Sequence, residues 1–364
     1  MRPAGLVTAL AALALAGAPA WGLEIEIDSQ ISQTQAAASV TGPGGPVQQV
    51  SVADTLTQVT VSHRQALAEG LTAEGTYWAS LDTLPSGNPQ QLPADNLAWS
   101  SKFLEAWLGW EVLPGALTLG AGKQVVHPSS GFSHAPLDFA YRGGDTTGAQ
   151  AISDWEEGWL GAKAAWFLDA VSASVFWAPA LTWDQSADQG LQYLTSTQPG
   201  GFVQGQVGVT LGSTDLRGLV FQGSGPTRGG LGLDSSWGES WTFRAEAAAD
   251  ANPAAWHGDL MGGTTWAGVD QTVMAELAWD DTGTSPVPTG FVRWAGKLDK
   301  AVDADAWVKA DLSDGSGWLG SSLTGTADKW SLSGQWLGAW GAPGTYAVSS
   351  GLRWKILVEA KVFL

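Results

Sequence analysis

The chain contains no cysteine, which excludes a disulfide framework and any thiolate metal site. Positive charge is also scarce: 17 Lys and Arg stand against 35 Asp and Glu, a formal net charge of −18. Binding to nucleic-acid phosphates needs clustered basic side chains, so nucleic acid is not an expected partner. No glycine loop of the phosphate-cradling type and no nucleophile elbow is present. Long apolar runs are missing as well. After the first twenty residues nothing approaches the ~18 consecutive apolar residues of a membrane-crossing helix. Yet 44% of the 364 residues are hydrophobic and only 14% are charged, so the apolar residues must be dispersed along the chain.

They are dispersed by alternation, and the last stretch shows it best. Tyr346, Val348, Leu352, Trp354, Ile356, Val358, Ala360, Val362 and Leu364 share one parity with Ser350. The other parity carries Thr345, Ser349, Gly351, Arg353, Lys355, Glu359 and Lys361, broken by Ala347, Leu357 and Phe363. A period of two predicts a strand with one apolar and one wet face. Ala304 to Leu312 repeats the pattern, with Ala304, Ala306, Val308, Ala310 and Leu312 opposed to Asp303, Asp305, Trp307, Lys309 and Asp311. Leu104 to Val112 does the same, opposing Leu104, Ala106, Leu108 and Trp110 to Glu105, Trp107 and Glu111 before the turn at Pro114-Gly115. A Glu–Trp–Glu face suits water better than a dry core. The pattern therefore predicts an all-β chain: a closed antiparallel transmembrane β-barrel, apolar face to lipid and polar face to a lumen.

Met1 to Ala20 reads as a secretory signal, with Arg2, an apolar core from Leu6 to Ala16, and Ala18-Pro19-Ala20 as the cleavage site. Residues 21–364 then form a single barrel domain. Short turns at Pro114-Gly115, Asp169, Ser213-Thr214, Gly238 and Asp328 interleave with longer Gly-, Pro- and Asp-rich segments at 83–96, 127–154, 183–200, 250–262 and 281–288. Short periplasmic turns and longer outer loops are the usual asymmetry of such barrels. The count is about 18 strands if Val269 to Thr272 hides a tight turn, and about 16 if it does not.

Two segments carry a family resemblance. The final amphipathic strand, with Phe363 beside the last residue Leu364, resembles the C-terminal signal by which bacterial outer-membrane barrels are recognised for assembly, although the aromatic sits one place early. Gly120-Ala121-Gly122-Lys123-Gln124, followed by a loop with Pro136-Leu137-Asp138, resembles a segment of porin-like channels related to alginate exporters. The strand-turn-strand rhythm of Asp234 to Glu246 is similar too. The resemblance implies passive passage of a small or polymeric solute. The reading as a whole expects no cofactor, and outer-membrane lipid, small hydrophilic solutes such as cations or sugars, and the barrel-assembly machinery as partners.

Candidate pore-lining residues are Glu105, Glu111, Lys123, Lys163, Arg244, Glu246, Asp305, Lys309 and Arg353, read on the polar parity of their strands. A Lys or Arg on the lipid face costs ~2–4 kcal/mol at mid-membrane; within a lumen, mutual pairing is the default fate of such charges. Trp107, Trp159 and Trp307 share that parity and present flat faces to a sugar ring, while most tryptophans belong to interfacial girdles. Loop 127–154, if it enters the lumen, sets Asp138, Arg142, Asp145 and Asp154 beside the path; otherwise it is a solvated outer loop. His127, Ser129, Ser133, His134 and Asp138 are the raw material of a second reading, a barrel hydrolase acting on lipids. His127 and His134 are of a metal-ligand type, but two His in a Gly-rich loop are a weak signal, and no metal is expected. A third reading is a plugged structural or adhesive surface barrel.

Overall fold

A computed structural model describes residues 23–39, 47–83, 97–126, 128–140, 158–181, 200–251, 258–281, 286–342, 345 and 352–363. The expected signal at Met1 to Ala20 lies outside them. The described residues form eighteen strands: β1 (Leu23–Ser39), β2 (Val47–Ala68), β3 (Leu71–Thr83), β4 (Leu97–Leu113), β5 (Leu117–Gln124), β6 (Trp159–Leu168), β7 (Val171–Ala178), β8 (Phe202–Leu211) and β9 (Thr214–Gln222). The series continues with β10 (Arg228–Trp237), β11 (Trp241–Asp250), β12 (Gly258–Ala267), β13 (Gln271–Asp280), β14 (Val287–Asp299), β15 (Val302–Asp311), β16 (Gly317–Ala327), β17 (Trp330–Trp340) and β18 (Leu352–Phe363). Gly268, Val269 and Asp270 turn the chain between β12 and β13, so Thr264 to Trp279 is two strands rather than one.

All pairing is antiparallel and follows the chain, each strand lying beside the next. β1 also pairs with β18, with Glu26 opposite Phe363 and Ile31 opposite Val358. Each of the eighteen strands thus has two hydrogen-bonded neighbours. Such a meander puts alternate connections at opposite ends. One end carries only tight turns, among them Glu69-Gly70, Asp169-Ala170, Gly212-Ser213 and Asp328-Lys329. The other carries the longer connections, including 84–96, 125–158 and 179–201.

Alternation sorts the side chains as the sequence predicts. Leu108, Val175, Val207, Leu231, Leu277, Val308 and Val358 are exposed on the apolar face. Tryptophans gather near its two ends. Toward the tight turns Trp237 lies opposite Trp241, Trp241 opposite Trp266, and Trp266 opposite Val273, which faces Trp294 in turn. Exposed Trp177, Trp279 and Trp340 lie toward the long connections. Many of the glycines serve these rings. A Cβ added at Gly296 or Gly338 would lie 2.8 or 2.7 Å from the tryptophan two residues earlier.

Leu104 breaks the expected parity. The register between β3 and β4 slips between Thr76 and Tyr77, so that Glu105 and Phe103 face successive partners and Leu104 is left over. A residue bulged out of the ladder leaves its face. Leu104 is accordingly 6% exposed, against 50% for Leu108.

Candidate functional site

The site begins where β5 loses its regularity. Gly122 has φ +127, and a Cβ there would meet the Ala106 carbonyl oxygen at 2.3 Å, so this position requires glycine. Lys123, the next residue, is 1% exposed and its ammonium donates to the Phe103 carbonyl at 2.6 Å. It is therefore buried in the wall. Beyond Gln124 the chain leaves the sheet, and residues 128–140 lie as a strap along the polar face of β9 to β15.

The strap has almost no internal ladder, so its backbone donors must be satisfied by the wall. Carboxylates do this. Ser129 Oγ donates to Glu246, as do Ser130 N at 2.6 Å and Ser130 Oγ at 2.9 Å. Farther on, Phe132 N donates to Glu276 at 2.8 Å, and Ser133 N and Oγ at 2.7 Å each. Strap carbonyls find cations: Arg217 bonds the Pro128 carbonyl, Arg244 the Ser130 carbonyl at 2.7 Å, and Lys309 the Ser133 carbonyl at 3.1 Å. His134 Nε2 pairs with Asp259. Within the strap, Asp138 accepts from Ser129 N at 2.8 Å.

The return leg is apolar. Leu137 is 1% exposed and fits over Gly230 and Gly232 of β10, where an added Cβ would approach it to 2.3 and 3.1 Å. Phe139 meets Phe221 edge-on and lies under the Arg228 guanidinium, 4.3 Å from its ring centre. Ala140 joins buried Phe176, Ala178 and Phe202, with Trp159 and Phe221 packed against them. At the far turn Phe132 stacks on Phe291, centroids 5.4 Å apart, with the Arg293 guanidinium 4.5 Å from its ring centre.

Comparison with solved structures matches the fold to porins. A triple mutant of Rhodopseudomonas blastica porin is 11% identical, with 94% of this chain and 100% of that chain covered at a TM-score of 0.50. A five-residue mutant of the same porin is 10% identical, with the same coverage and TM-score. A structure named for the asymmetric conductivity of engineered proteins is 11% identical, again at 94%, 100% and 0.50. The fold is porin-like. No protein-family model and no curated protein matches the chain.

Within the porin-like fold the sequence candidates divide into groups. Arg244, Glu246 and Lys309 come together under the strap. Asp305 pairs with Arg293, and Trp307 lies 6.3 Å from Phe291 on the same stretch of wall. Trp159 donates from its indole to the Ala140 carbonyl. Others sit elsewhere. Glu105 accepts from Val125 N at 3.2 Å, Glu111 caps its own turn through Gly115 N at 2.5 Å, and Trp107 lies along Gly109. Lys163 is exposed on β6. Arg353 belongs to β18 but its side chain, like His127, Arg142, Asp145 and Asp154, lies outside the described residues.

The hydrolase candidates point apart. Ser129 and Ser133 donate to Glu246 and Glu276, His134 turns to Asp259, and among the described residues neither hydroxyl bonds the imidazole. Among the same residues no group of three or more His, Asp or Glu side chains is placed to hold a metal ion. Arg217, Asp234, Asp259, Glu276 and Arg293 hold the strap or its anchors and were not singled out from sequence. Four of them had a signal: each lies on the polar parity of an alternating strand. Asp259 was hidden because the reading ended its loop at 262, whereas β12 starts at Gly258.

Proposed function

We propose that the chain is a porin-like channel of the bacterial outer membrane, conducting small hydrophilic solutes passively. In this reading the β1–β18 pairing closes a barrel of eighteen strands, residues 21–364 are its single domain, and the polar face is the lumen. The observation that carries it is the strap: a segment of chain laid along the polar face, on a sheet whose other face is a wall of exposed Leu, Val and Trp. Buried charged anchors on one face and a predominantly apolar face on the other fit a lipid-spanning sheet with a wet interior. The porin-like fold supports the same conclusion.

Residues 128–140 then narrow the lumen on the β9–β15 side. Arg244, Glu246, Asp305, Trp307 and Lys309 line that side, and Lys163 and Glu111 line other parts of the wall. Solute passes between the strap and the remaining strands, and cations or sugars are the expected classes. Lipid covers the apolar face, and β18 is the segment offered to the assembly machinery. Single-channel recording of the purified protein in a planar bilayer tests the reading: discrete, ohmic conductance steps in KCl are expected, and their absence at any protein concentration refutes it.

A further inference from the structure

The apolar face of the wall is not level. Between β9 and β15 it holds a depression of about 860 Å³, with Leu231, Leu260 and Leu277 on its rim and Ala245, Ala247 and Gly262 on its floor. The three leucines are 68%, 52% and 64% exposed, so they stand clear of the sheet. The register explains the shape. Ala247 of β11 lies between Leu231 of β10 and Leu260 of β12. Ala245 has Leu233 on one side and Gly262 on the other, with Leu277 beyond Gly262. A Cβ added at Gly262 would meet nothing within 4 Å. At ~4.8 Å between strands, the leucines flanking Ala247 stand roughly 10 Å apart, which leaves a trough one strand wide. Its floor continues along β11 to Ala249, since residues two apart share a face. The lower end is closed by Phe243, stacked on Trp241 with centroids 6.2 Å apart. The upper end passes Trp279, which lies opposite Leu260, and opens toward the long connections.

We infer that this trough seats a single acyl chain of a lipid from the leaflet at the long-connection end, as a defined site on the wall. This rests on the lipid-facing reading of the sheet given above. In a bilayer, covering a leucine brings no hydrophobic gain, because lipid tails are equally apolar; packing decides. A chain in the trough touches the floor and both walls, whereas a chain on level wall touches one side, and dispersion grows with the number of contacts. The length fits one leaflet. Ala245 to Ala249 spans about 14 Å of strand, roughly half of the ~30 Å hydrocarbon core. Trp279 marks the interfacial level at which a headgroup sits, and Phe243 marks where the chain stops. A second copy of the sheet would press on the whole height of the wall, not on one leaflet's depth of it. A row of leucines on either side admits a straight, saturated chain better than one bent by a cis double bond.

The test is photocrosslinking in vesicles of dimyristoylphosphatidylcholine, the probe being a phosphatidylcholine with a diazirine near the end of one saturated chain. Adducts are located by mass spectrometry of peptides. Phe243 and Ala245 should be labelled about ten times more than exposed Val175 and Val207, as for roughly ten extra carbon–carbon contacts. Ala247→Leu fills the trough from the apolar face. It should lower labelling of Phe243 to the level of Val207, with heat-modifiable migration and conductance as in the wild type. Added dipalmitoylphosphatidylcholine should compete with the probe better than dioleoylphosphatidylcholine. Even labelling around the wall, labelling undiminished in Ala247→Leu, or exclusion of the probe by a dimer that forms as protein concentration rises would overturn the inference. Adducts on Glu246 or Asp305, of the polar face, would overturn the lipid-facing reading as well. Trough adducts in a protein without conductance would support the site and remove only the channel.

Discussion

Replacing Glu276 by glutamine probes the grip of the wall on the strap with the smallest change of shape. The Glu276 side chain is 1% exposed, and its two oxygens accept from Phe132 N, Ser133 N and Ser133 Oγ at 2.7–2.8 Å. Glutamine offers one acceptor oxygen and one amide donor. Turned to keep the oxygen toward Ser133, it sets its NH2 against the Phe132 N–H, so one bond becomes a clash of donors and two lose their charge assistance. Arg244, 3.8 Å from the carboxylate, loses its counter-charge as well. Bonds to a charged partner contribute about 1.5–3 kcal/mol each, and neutral ones roughly half that. The substitution should therefore cost about 3–6 kcal/mol of local hold, which is roughly 150- to 25,000-fold in the ratio of seated to lifted strap. Hydrogen exchange followed by mass spectrometry on the peptide spanning 128–140 reads that ratio directly. Exchange at Phe132 and Ser133 should rise by this factor, while the β11–β13 ladder keeps its protection and single-channel conductance increases. Unchanged exchange in that peptide would show that Glu276 does not hold the strap.

Other outcomes follow from the same geometry. Spin labels at Leu108, Val308 and Val358 should be quenched by a lipid-soluble reagent, and labels at Asp305 and Lys309 by a water-soluble one; mixed behaviour along β15 would contradict a lipid-facing sheet. Deleting Phe363 and Leu364 should lower the yield of inserted, heat-modifiable barrel, since Phe363 lies opposite Glu26 at the β1–β18 seam; full insertion of the truncated chain would free this end of any assembly role. Asp138→Asn keeps an acceptor for Ser129 N while removing a charge from the strap. Reversal potentials in a KCl gradient should then show a smaller cation preference, most clearly below 0.1 M salt, where screening extends beyond ~10 Å; an unchanged potential would place Asp138 away from the path.

Strands were legible in the sequence because alternation is a local property. β15 and β18 could be read residue by residue, and a tight turn within Val269 to Thr272 was already one of two options; the chain turns at Gly268 to Asp270. Legibility failed where the backbone departs from period two. The bulge that removes Leu104 from the apolar face is a mismatch between β3 and β4, visible only when both are paired. Lys123 was placed with the lumen charges, but the left-handed Gly122 before it turns the chain and buries it. The strap was least legible of all. A Pro-, Ser- and Gly-rich segment has no period, and its anchors lie 116 residues away for Ser130–Glu246 and 144 for Phe132–Glu276. Nothing local in either segment encodes such a match. The serines and histidine that resembled catalytic material are instead donors to carboxylates of the wall.

That exchange also accounts for the charges left on the wall. A strap offering N–H and O–H groups requires acceptors, and ionised carboxylates accept best. Burying them requires counter-charge nearby, or desolvation exceeds the gain. The wall supplies it strand by strand: Arg217 with Asp234 and Glu246, Arg228 with Asp250, Arg244 with Glu276, and Arg293 with Asp305. Acid and base nearly cancel along this side of the sheet. The surplus behind the net charge of −18 is therefore carried outside these pairs, on the strap itself and on the rest of the chain. A cation preference, if measured, has to originate there. For that reason the substitution that tests it is placed at Asp138 of the strap and not at Glu246 or Glu276, where loss of charge would act first on how the strap is held.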